Sequence, residues 1–237
     1  MNVNIWGPEL WSLLHGLAGL TNSNIQKLTF IKIFQVLQYL LPCIHCKNSY
    51  KQFFNSDEIT EFVKADKSIE YVYHLHNLVN DKLEIQKIQK LFLSVPLNEQ
   101  QKQEIVENHV ILSSRPTIET VKKRFNLSRG NPFSTSTIYK VLFSFVLLVD
   151  IDEEDPKIRR AALSDFIKYL AVFLRNTTGY FEDSEKLSKI RLPSVYNSKE
   201  GFFSIYQAFE FNQSMEDLYF LFIKNMPAKS CDNLRCI

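Results

Sequence analysis

Apolar residues recur along most of this chain with the spacing of an α-helix. Positions 10–20 and 67–83 repeat apolar side chains about every 3.6 residues, as one face of a helix requires. The clearest case lies between positions 24 and 41, where the apolar face would carry Phe30, Ile33, Phe34, Leu37 and Leu41. The sequence therefore predicts an all-α fold.

The helical pattern breaks around residues 93–101, and we place a domain boundary there. This divides the chain into a first domain at 1–95, a second helical domain at 96–228 and a tail at 229–237. The second domain shows packing and capping patterns but no cluster of chemically active residues, so its role is not predicted.

Two helix starts stand out in the second domain. Asp155-Pro156 predicts one of them, because Asp caps free amide groups and Pro fits the first helical turn. Ser214 with Asp217 has the spacing of a capping box and predicts the other, with Pro227 ending that helix.

Composition and charge are those of an ordinary globular chain. Of the 237 residues, 45% are hydrophobic and 23% charged, and the net charge is +2. We expect no nucleic-acid partner, and we interpret the basic clusters at 122–124 and 159–160 as solvated helix faces. The apolar run at 141–149 is too short to span a bilayer, and the N-terminus lacks a signal-peptide pattern. We therefore expect a soluble chain in a reducing compartment, where closely spaced cysteines act as working thiols.

The cysteines fall into two closely spaced pairs, 43/46 and 231/236. Pro42 precedes the first pair, which begins a predicted helix at 43–54. At i and i+3, Cys43 and Cys46 share a helix face, and the amide groups at a helix N-terminus stabilise a thiolate. The first pair is therefore suited either to disulfide exchange or to binding zinc.

Zinc binding requires two further ligands, and the candidates near the pair are His45, His74 and His76. A helix points His74 and His76 to nearly opposite faces, since they are two residues apart. A thioredoxin-like site would require a strand before the cysteines, where the pattern is helical. We therefore favour disulfide exchange and expect no bound metal, with a zinc-stabilised interaction module as the alternative.

Two other stretches place aromatic and imidazole side chains on helix faces. Trp11 and His15 are spaced i and i+4, while Tyr73, His76 and Asn80 follow i, i+3 and i+7. Aromatic walls with a few polar groups are typical of a site for a planar cofactor. Each of these residues alone is more often part of a core, so the prediction depends on their combination.

Three linked motifs resemble the Erv/ALR family of FAD-linked sulfhydryl oxidases. Gly-Pro-Glu-Leu-Trp-Ser-Leu-Leu-His at 7–15 is similar to the family's G-x-x-x-W-x-x-L-H. Pro-Cys-Ile-His-Cys at 42–46 is similar to its P-C-x-x-C. Residues 71–83 follow its W-x-C-x-x-H-N-x-V-N-x-x-L, and the order and spacing agree over residues 5–90.

The resemblance implies a four-helix bundle that binds FAD beside the dithiol. It implies an enzyme that forms disulfides in thiol-containing proteins and passes the electrons through FAD to O2, giving H2O2. In this scheme Cys43 is attacked by the substrate thiolate and Cys46 lies beside the flavin. The cofactor-binding residues that the resemblance implies are Gly7, Pro8, Trp11, His15, Cys46, Tyr73, His76, Asn77, Asn80 and Lys82.

The third motif departs from the family at two positions. Tyr71 stands where the family has Trp, and Tyr73 stands where it has a cysteine that pairs with a later one. Residues 84–108 contain no cysteine, so this structural disulfide is not expected here. The departures leave open how the end of the motif helix is held.

Length and pattern further resemble the oxidases of large cytoplasmic DNA viruses, of the mimivirus-like type with an added C-terminal helical domain. The resemblance implies a homodimer that works in the cytoplasm of an infected cell or in the virion. Cys231 and Cys236 would then form a shuttle disulfide that relays electrons from bulky substrates to the inner pair. An inactive scaffold derived from the oxidase fold is a further alternative.

Overall fold

The computed structural model describes residues 3–112, 115–127, 131–146, 155–192 and 198–209. All regular structure within these ranges is helical, which confirms the predicted all-α class. The helices are α1 (Val3–Leu20), α2 (Asn24–Leu40), α3 (Ile44–Phe53), α4 (Ser56–Lys64), α5 (Ser68–Ser94), α6 (Glu99–Leu112), α7 (Ile118–Leu127), α8 (Thr135–Val146), α9 (Pro156–Arg175), α10 (Phe181–Lys189) and α11 (Ser198–Phe209).

Local sequence fixes where α2 begins, and burial fixes which face points inward. The Gln26 N–H donates to Ser23 Oγ, and the Gln26 side chain accepts from the Ser23 N–H, which completes a capping box. Such a cap contributes about 1 kcal/mol. Phe30, Ile33 and Phe34 on the predicted apolar face are fully buried.

The helices of the first region surround α5. This helix packs against α1 and α4, α4 packs against α2, and the short α3 contacts both α2 and α5. Helix α5 has 27 residues and continues to Ser94, beyond the apolar pattern seen at 67–83. Helix α4 was not predicted, because its buried residues are limited to Ile59 and Val63.

Helix α9 of the second region packs antiparallel to α2. At the start of α9, Arg159 Nη2 donates to the Leu40 carbonyl at 3.2 Å. At the other end, Gln26 Nε2 donates to Thr177 Oγ1 at 2.9 Å. Apolar side chains of α9, including Phe166, are fully buried between these two polar contacts.

Sequence reasoning was right about the start of α9 and wrong about one of its charges. Asp155 caps the helix by accepting the Lys157 N–H at 2.8 Å, and Pro156 follows it, as predicted. Arg159 is only 1% exposed, so its interpretation as part of a solvated face is wrong. The apolar period of α9 places this position on the face that packs on α2.

Helix α8 covers α1 from another side, so both regions share one core. The ring of Phe133, just before α8, lies so close to Gly16 that a Cβ at Gly16 would overlap it. Lys140 on α8 pairs with Glu9 on α1 at 2.7 Å. Helix α10 packs on α9 and α11, and α11 packs on α8.

The end of α5 at Ser94 lies at the predicted domain boundary, and the division into 1–95 and 96–228 stays a prediction. The tail at 229–237 and the predicted helix start at 214–217 lie outside the described residues. None of the helices in the described ranges combines the length and apolar character needed to cross a membrane.

Candidate active site

The dithiol lies at the junction between α2 and α3. Helix α2 ends at Leu40, and Cys43 is the N-cap residue of α3. The Cys46 N–H donates to Cys43 Sγ at 3.3 Å, so the sulfur takes the place of a capping oxygen. Neither Cys43 nor Cys46 is in a disulfide in the structure.

This geometry makes Cys43 acidic for a thiol. Hydrogen bonding with the Cys46 side chain, helped by the backbone N–H groups of Cys46 and His45, lowers the pKa of Cys43 to about 6 despite its burial. A thiol with a pKa of about 6 is mostly ionised at neutral pH. Thiolates are the nucleophiles in disulfide exchange, so reduced Cys43 is in its reactive form.

The two cysteines differ in exposure. Cys43 is 8% exposed, whereas Cys46 is partly exposed. A substrate thiol must approach within bonding distance of the sulfur that it attacks. Of the two cysteines, Cys46 is the more exposed to solvent. The division of roles between Cys43 and Cys46 therefore stays a prediction.

Helices α1 and α5 bring three of the predicted cofactor residues into one aromatic cluster. The rings of Trp11 and His76 stack with centroids 4.0 Å apart and planes 10° from parallel. His15 Nε2 lies 3.0 Å from His76 Nδ1, which is a hydrogen bond. His74, in contrast, is exposed and lies 3.7 Å from Glu58, so the two histidines of the motif point apart as predicted.

Both histidines of the cluster are neutral at pH 7. Burial and then the nearby His76 lower the pKa of His15 to about 4. Burial and then the positive charge of Arg115 lower the pKa of His76 to about 4. A neutral imidazole has one donor and one acceptor nitrogen. His15 Nδ1 is buried and finds no hydrogen-bond partner among the described residues, so it could contact a ligand.

Lys82 connects the cluster helix to the dithiol helix. Its ammonium group donates to Ser49 Oγ and, at 3.4 Å, to the carbonyl oxygen of His45. Lys82 therefore brings a positive charge to α3 within a turn of the cysteines. Since Lys82 follows His76 by six positions, the two lie about 9 Å apart along the α5 axis.

The remaining predicted cofactor residues lie on α1 and α5. Gly7 is buried and Pro8 is exposed in the first turns of α1, while Asn77 and Asn80 are half-buried on α5. Tyr73 donates its hydroxyl hydrogen to the carbonyl oxygen of Pro116 at 3.1 Å. The contact between Tyr73 and Pro116 joins α5 to a segment that sequence reasoning did not connect with the site.

That segment, residues 115–127, is called the strap below; it runs into α7 and crosses α5 and α1. Arg115 forms ion pairs with Asp81 and Glu84 on α5, each at 2.6 Å. At the other end of the strap, Phe125 lies 6.3 Å from the His15 ring, centroid to centroid. The Phe125 ring also covers Gly19 so closely that a Cβ there would overlap it.

Within the ranges that the structure describes, two further buried groups on α1 and α5 have polar atoms without a hydrogen-bond partner. Trp6 Nε1 is one, and sequence analysis did not single out Trp6. The Tyr71 hydroxyl is the other, and burial raises the pKa of Tyr71. Its ring packs edge-on against Phe34 at 5.4 Å, in the position that the family motif gives to Trp. Within the described residues, no three His, Cys, Asp or Glu side chains cluster as a metal site would require.

Comparison with protein families gives one match, which covers residues 8–102 and is described as the Erv1 / Alr family. Comparisons with curated proteins and with solved structures gave no significant match. The match includes α1 to α5 and ends in α6, so it leaves the strap and helices α7 to α11 unassigned. Residues 8–102, which carry the dithiol and the aromatic cluster, are therefore similar to the Erv1 / Alr family, whose general activity is FAD-linked sulfhydryl oxidation.

Proposed function

We propose that this chain is an FAD-dependent sulfhydryl oxidase that forms disulfides in thiol-containing proteins. The observation that carries the proposal is the dithiol at the N-terminus of α3, where Cys43 Sγ accepts the Cys46 N–H and the thiol pKa falls to about 6. The family match over residues 8–102 supports the same activity.

The residues of the aromatic cluster fit the cofactor. Trp11 and His76 offer flat ring surfaces, and His15 Nδ1 is a buried polar atom without a partner among the residues that the structure describes. Buried polar atoms are costly unless a ligand or water satisfies them, so this nitrogen is a suitable contact for a polar edge of FAD. Trp11, His15 and His76 would hold the cofactor, with Lys82, Asn77 and Asn80 as further polar contacts.

The chemistry of the thiols follows from ordinary disulfide exchange. Starting from the Cys43–Cys46 disulfide, a substrate thiolate attacks Cys43 Sγ, a mixed disulfide forms and Cys46 leaves as a thiolate. A second substrate thiolate then attacks the substrate sulfur and releases Cys43 as a thiolate. The substrate has lost two electrons and the protein pair has gained them. When bound, FAD supplies the route by which these electrons reach O2 and give H2O2.

The setting of the reaction is part of the proposal. The chain resembles in length and pattern the oxidases of large cytoplasmic DNA viruses, and on that resemblance we propose a homodimer acting in the cytoplasm of an infected cell or in the virion. Cys231 and Cys236, which lie outside the described residues, would form the shuttle. Their replacement by Ser should slow oxidation of a folded protein substrate but leave oxidation of a small dithiol unchanged.

The first test is a visible absorption spectrum of the purified protein before and after a dithiol is added in air. The proposal predicts a bound-flavin spectrum that bleaches and then recovers as oxygen is consumed. Cys43→Ser and Cys46→Ser should each keep the flavin but lower turnover by about a thousandfold or more, as expected when a nucleophile is removed. Asn48→Ala, on the exposed side of the same helix, is the matched control and should keep full turnover.

The other outcomes identify the alternatives. A colourless protein that a chelator destabilises would mean a zinc-stabilised module. Bound flavin without turnover would mean an inactive scaffold. Full activity in both cysteine variants would rule out the exchange mechanism described above.

A further inference from the structure

The strap meets α5 at the turn that carries two of the predicted cofactor residues. Tyr73, which binds Pro116, precedes Asn77 by one turn. Asp81 and Glu84, which bind Arg115, follow Asn77 and Asn80 by one turn. The two anchor points of residues 115–116 therefore lie on either side of Asn77 and Asn80.

The same segment also reaches the aromatic cluster. Phe125, nine to ten positions further along the strap, lies against His15 on α1. Lys122 pairs with Glu70 on α5 at 2.7 Å, between the two ends of the strap. The strap thus joins α5 to α1 across the helix pair that holds Trp11, His15 and His76.

Charge agrees with this placement. The Arg115 guanidinium is close enough to His76 to contribute to the low pKa of that histidine. Asp81 and Glu84 in turn raise the pKa of Arg115, so the guanidinium is a permanent cation at this position. Because Asp81 and Glu84 occupy both terminal nitrogens of Arg115, the guanidinium fixes the strap to α5 beside the ring cluster.

We propose that the strap is a wall of the dinucleotide site and holds the nucleotide half of the bound cofactor, with Arg115 as its anchor on α5. This inference rests on the proposed function, because the dinucleotide is FAD. It adds to the site a segment that lies beyond the residues matched to the family.

The test measures the affinity of refilled apoprotein for FAD and for FMN, which lacks the adenosine half. Arg115→Ala should weaken FAD binding by about tenfold or more and leave FMN binding unchanged, because the proposal places the strap against the half that FMN lacks. Arg115→Lys should restore part of the affinity, since it keeps the charge without the bidentate geometry.

The matched control is Lys102→Ala, which removes an ion pair of the same length, Lys102–Glu99 at 2.6 Å, on α6 outside the strap. It should change neither affinity. Tyr73→Phe is a milder second variant, removing only the hydrogen bond to Pro116, and should weaken FAD binding a few-fold. Melting temperatures of the apoproteins would reveal any general loss of stability.

The outcomes separate this inference from the proposed function. Equal loss of FAD and FMN affinity in Arg115→Ala would mean that the strap supports the fold in general, and the inference would be wrong. Unchanged affinities in both Arg115→Ala and Tyr73→Phe would overturn it as well. If the wild-type protein did not bind FAD at all, the proposed function itself would be wrong.

Discussion

Two faces of the N-terminal bundle receive helices from the second region, and they differ in chemistry. Where α9 lies on α2, polar contacts at both ends (Arg159 to the Leu40 carbonyl, and Gln26 to Thr177) enclose buried apolar side chains of α9, including Phe166. Where the strap crosses α1 and α5, the contact consists of ion pairs, imidazoles and a tyrosine hydroxyl. The first face contributes stability, and the second leaves polar atoms available for a ligand.

The difference shows why one fold can be both stable and chemically active. Burying apolar side chains stabilises a helix pair without directional demands. Buried polar groups require partners, and His15 Nδ1 has none within the described parts of the chain. Apolar burial on the α2–α9 side offsets the cost of such a group on the α1–α5 side.

The largest expected effect is on the apolar side chains that α9 buries. Phe166→Ala should lower the free energy of unfolding by about 3–5 kcal/mol, because Phe166 is fully buried and packs edge-on against Phe145 at 5.2 Å. Urea titration measures the loss, and the flavin affinity of the folded protein should stay unchanged. Val172→Ala on the exposed side of α9 should cost far less. An equal loss of unfolding free energy in both variants would contradict the assignment of Phe166 to the buried side of α9 and of Val172 to its exposed side.

The second prediction concerns how the free energy of unfolding depends on pH through the two histidines of α1 and α5. In the folded protein the pKa values of His15 and His76 are about 4, below the value of 6.5 for an unfolded histidine. As pH falls from 6.5 towards 4, the unfolded chain binds more protons, so stability is lost. The loss should be on the order of 3 kcal/mol for each histidine, since a pKa unit corresponds to about 1.4 kcal/mol.

The measurement is the slope of the unfolding free energy against pH between 6.5 and 5, where few carboxyl groups titrate. Cys43, with a pKa of about 6, adds to the slope in the same direction, and this contribution is common to the wild type and the histidine variants. His76→Gln should flatten this slope, whereas His74→Gln, at an exposed position of the same helix, should not. A wild-type slope near zero would show that the two imidazoles are more open to water than the structure indicates.

A smaller effect is expected where a buried arginine at the start of α9 binds the end of α2. Arg159→Met keeps the bulk of the side chain but removes the hydrogen bond to the Leu40 carbonyl, and we expect a loss of about 1.5–3 kcal/mol. Lys157→Met, exposed in the first turn of the same helix, is the control. A stabilised Arg159→Met variant would mean that burying the charge costs more than its hydrogen bond returns.

The smallest expected effect is at the start of α9. Asp155→Ala should cost about 1 kcal/mol, because the carboxylate that accepts the Lys157 N–H is removed. Asp155→Asn keeps an oxygen at the same place and should be close to neutral. Thermal unfolding of the two variants side by side gives the comparison, and equal melting temperatures would mean that the cap contributes nothing.

Sequence reasoning located the dithiol and the ring cluster because both depend on spacing within single helices. Cys43 and Cys46 share a turn of α3, and Trp11 and His15 share a face of α1. The meeting of Trp11 with His76 was expected from two amphipathic faces, and the structure gives it a stacking distance of 4.0 Å. The first two arrangements are fixed by helical repeat alone, whereas the contact between Trp11 and His76 also depends on how α1 packs on α5.

Arg115, Phe125 and Arg159 were missed because nothing in their local sequence distinguishes them. Arg115 lies in a turn region and binds residues more than thirty positions away, at Asp81 and Glu84. Arg159 resembles a surface charge until α9 is packed on α2. Contacts between distant segments depend on how helices are arranged, which a local period does not encode.

The sequence by itself determined the helical class, the start of α9, the reactive dithiol and the faces of α1 and α5 that carry the rings. Each of these follows from interactions within a few residues, such as capping, helical period and the effect of a helix N-terminus on a thiol. Only the tertiary structure decided that a segment beyond residue 102 crosses the site and that α9 and α2 share a core. These features arise from burial of apolar surface and pairing of charges between segments far apart in the chain.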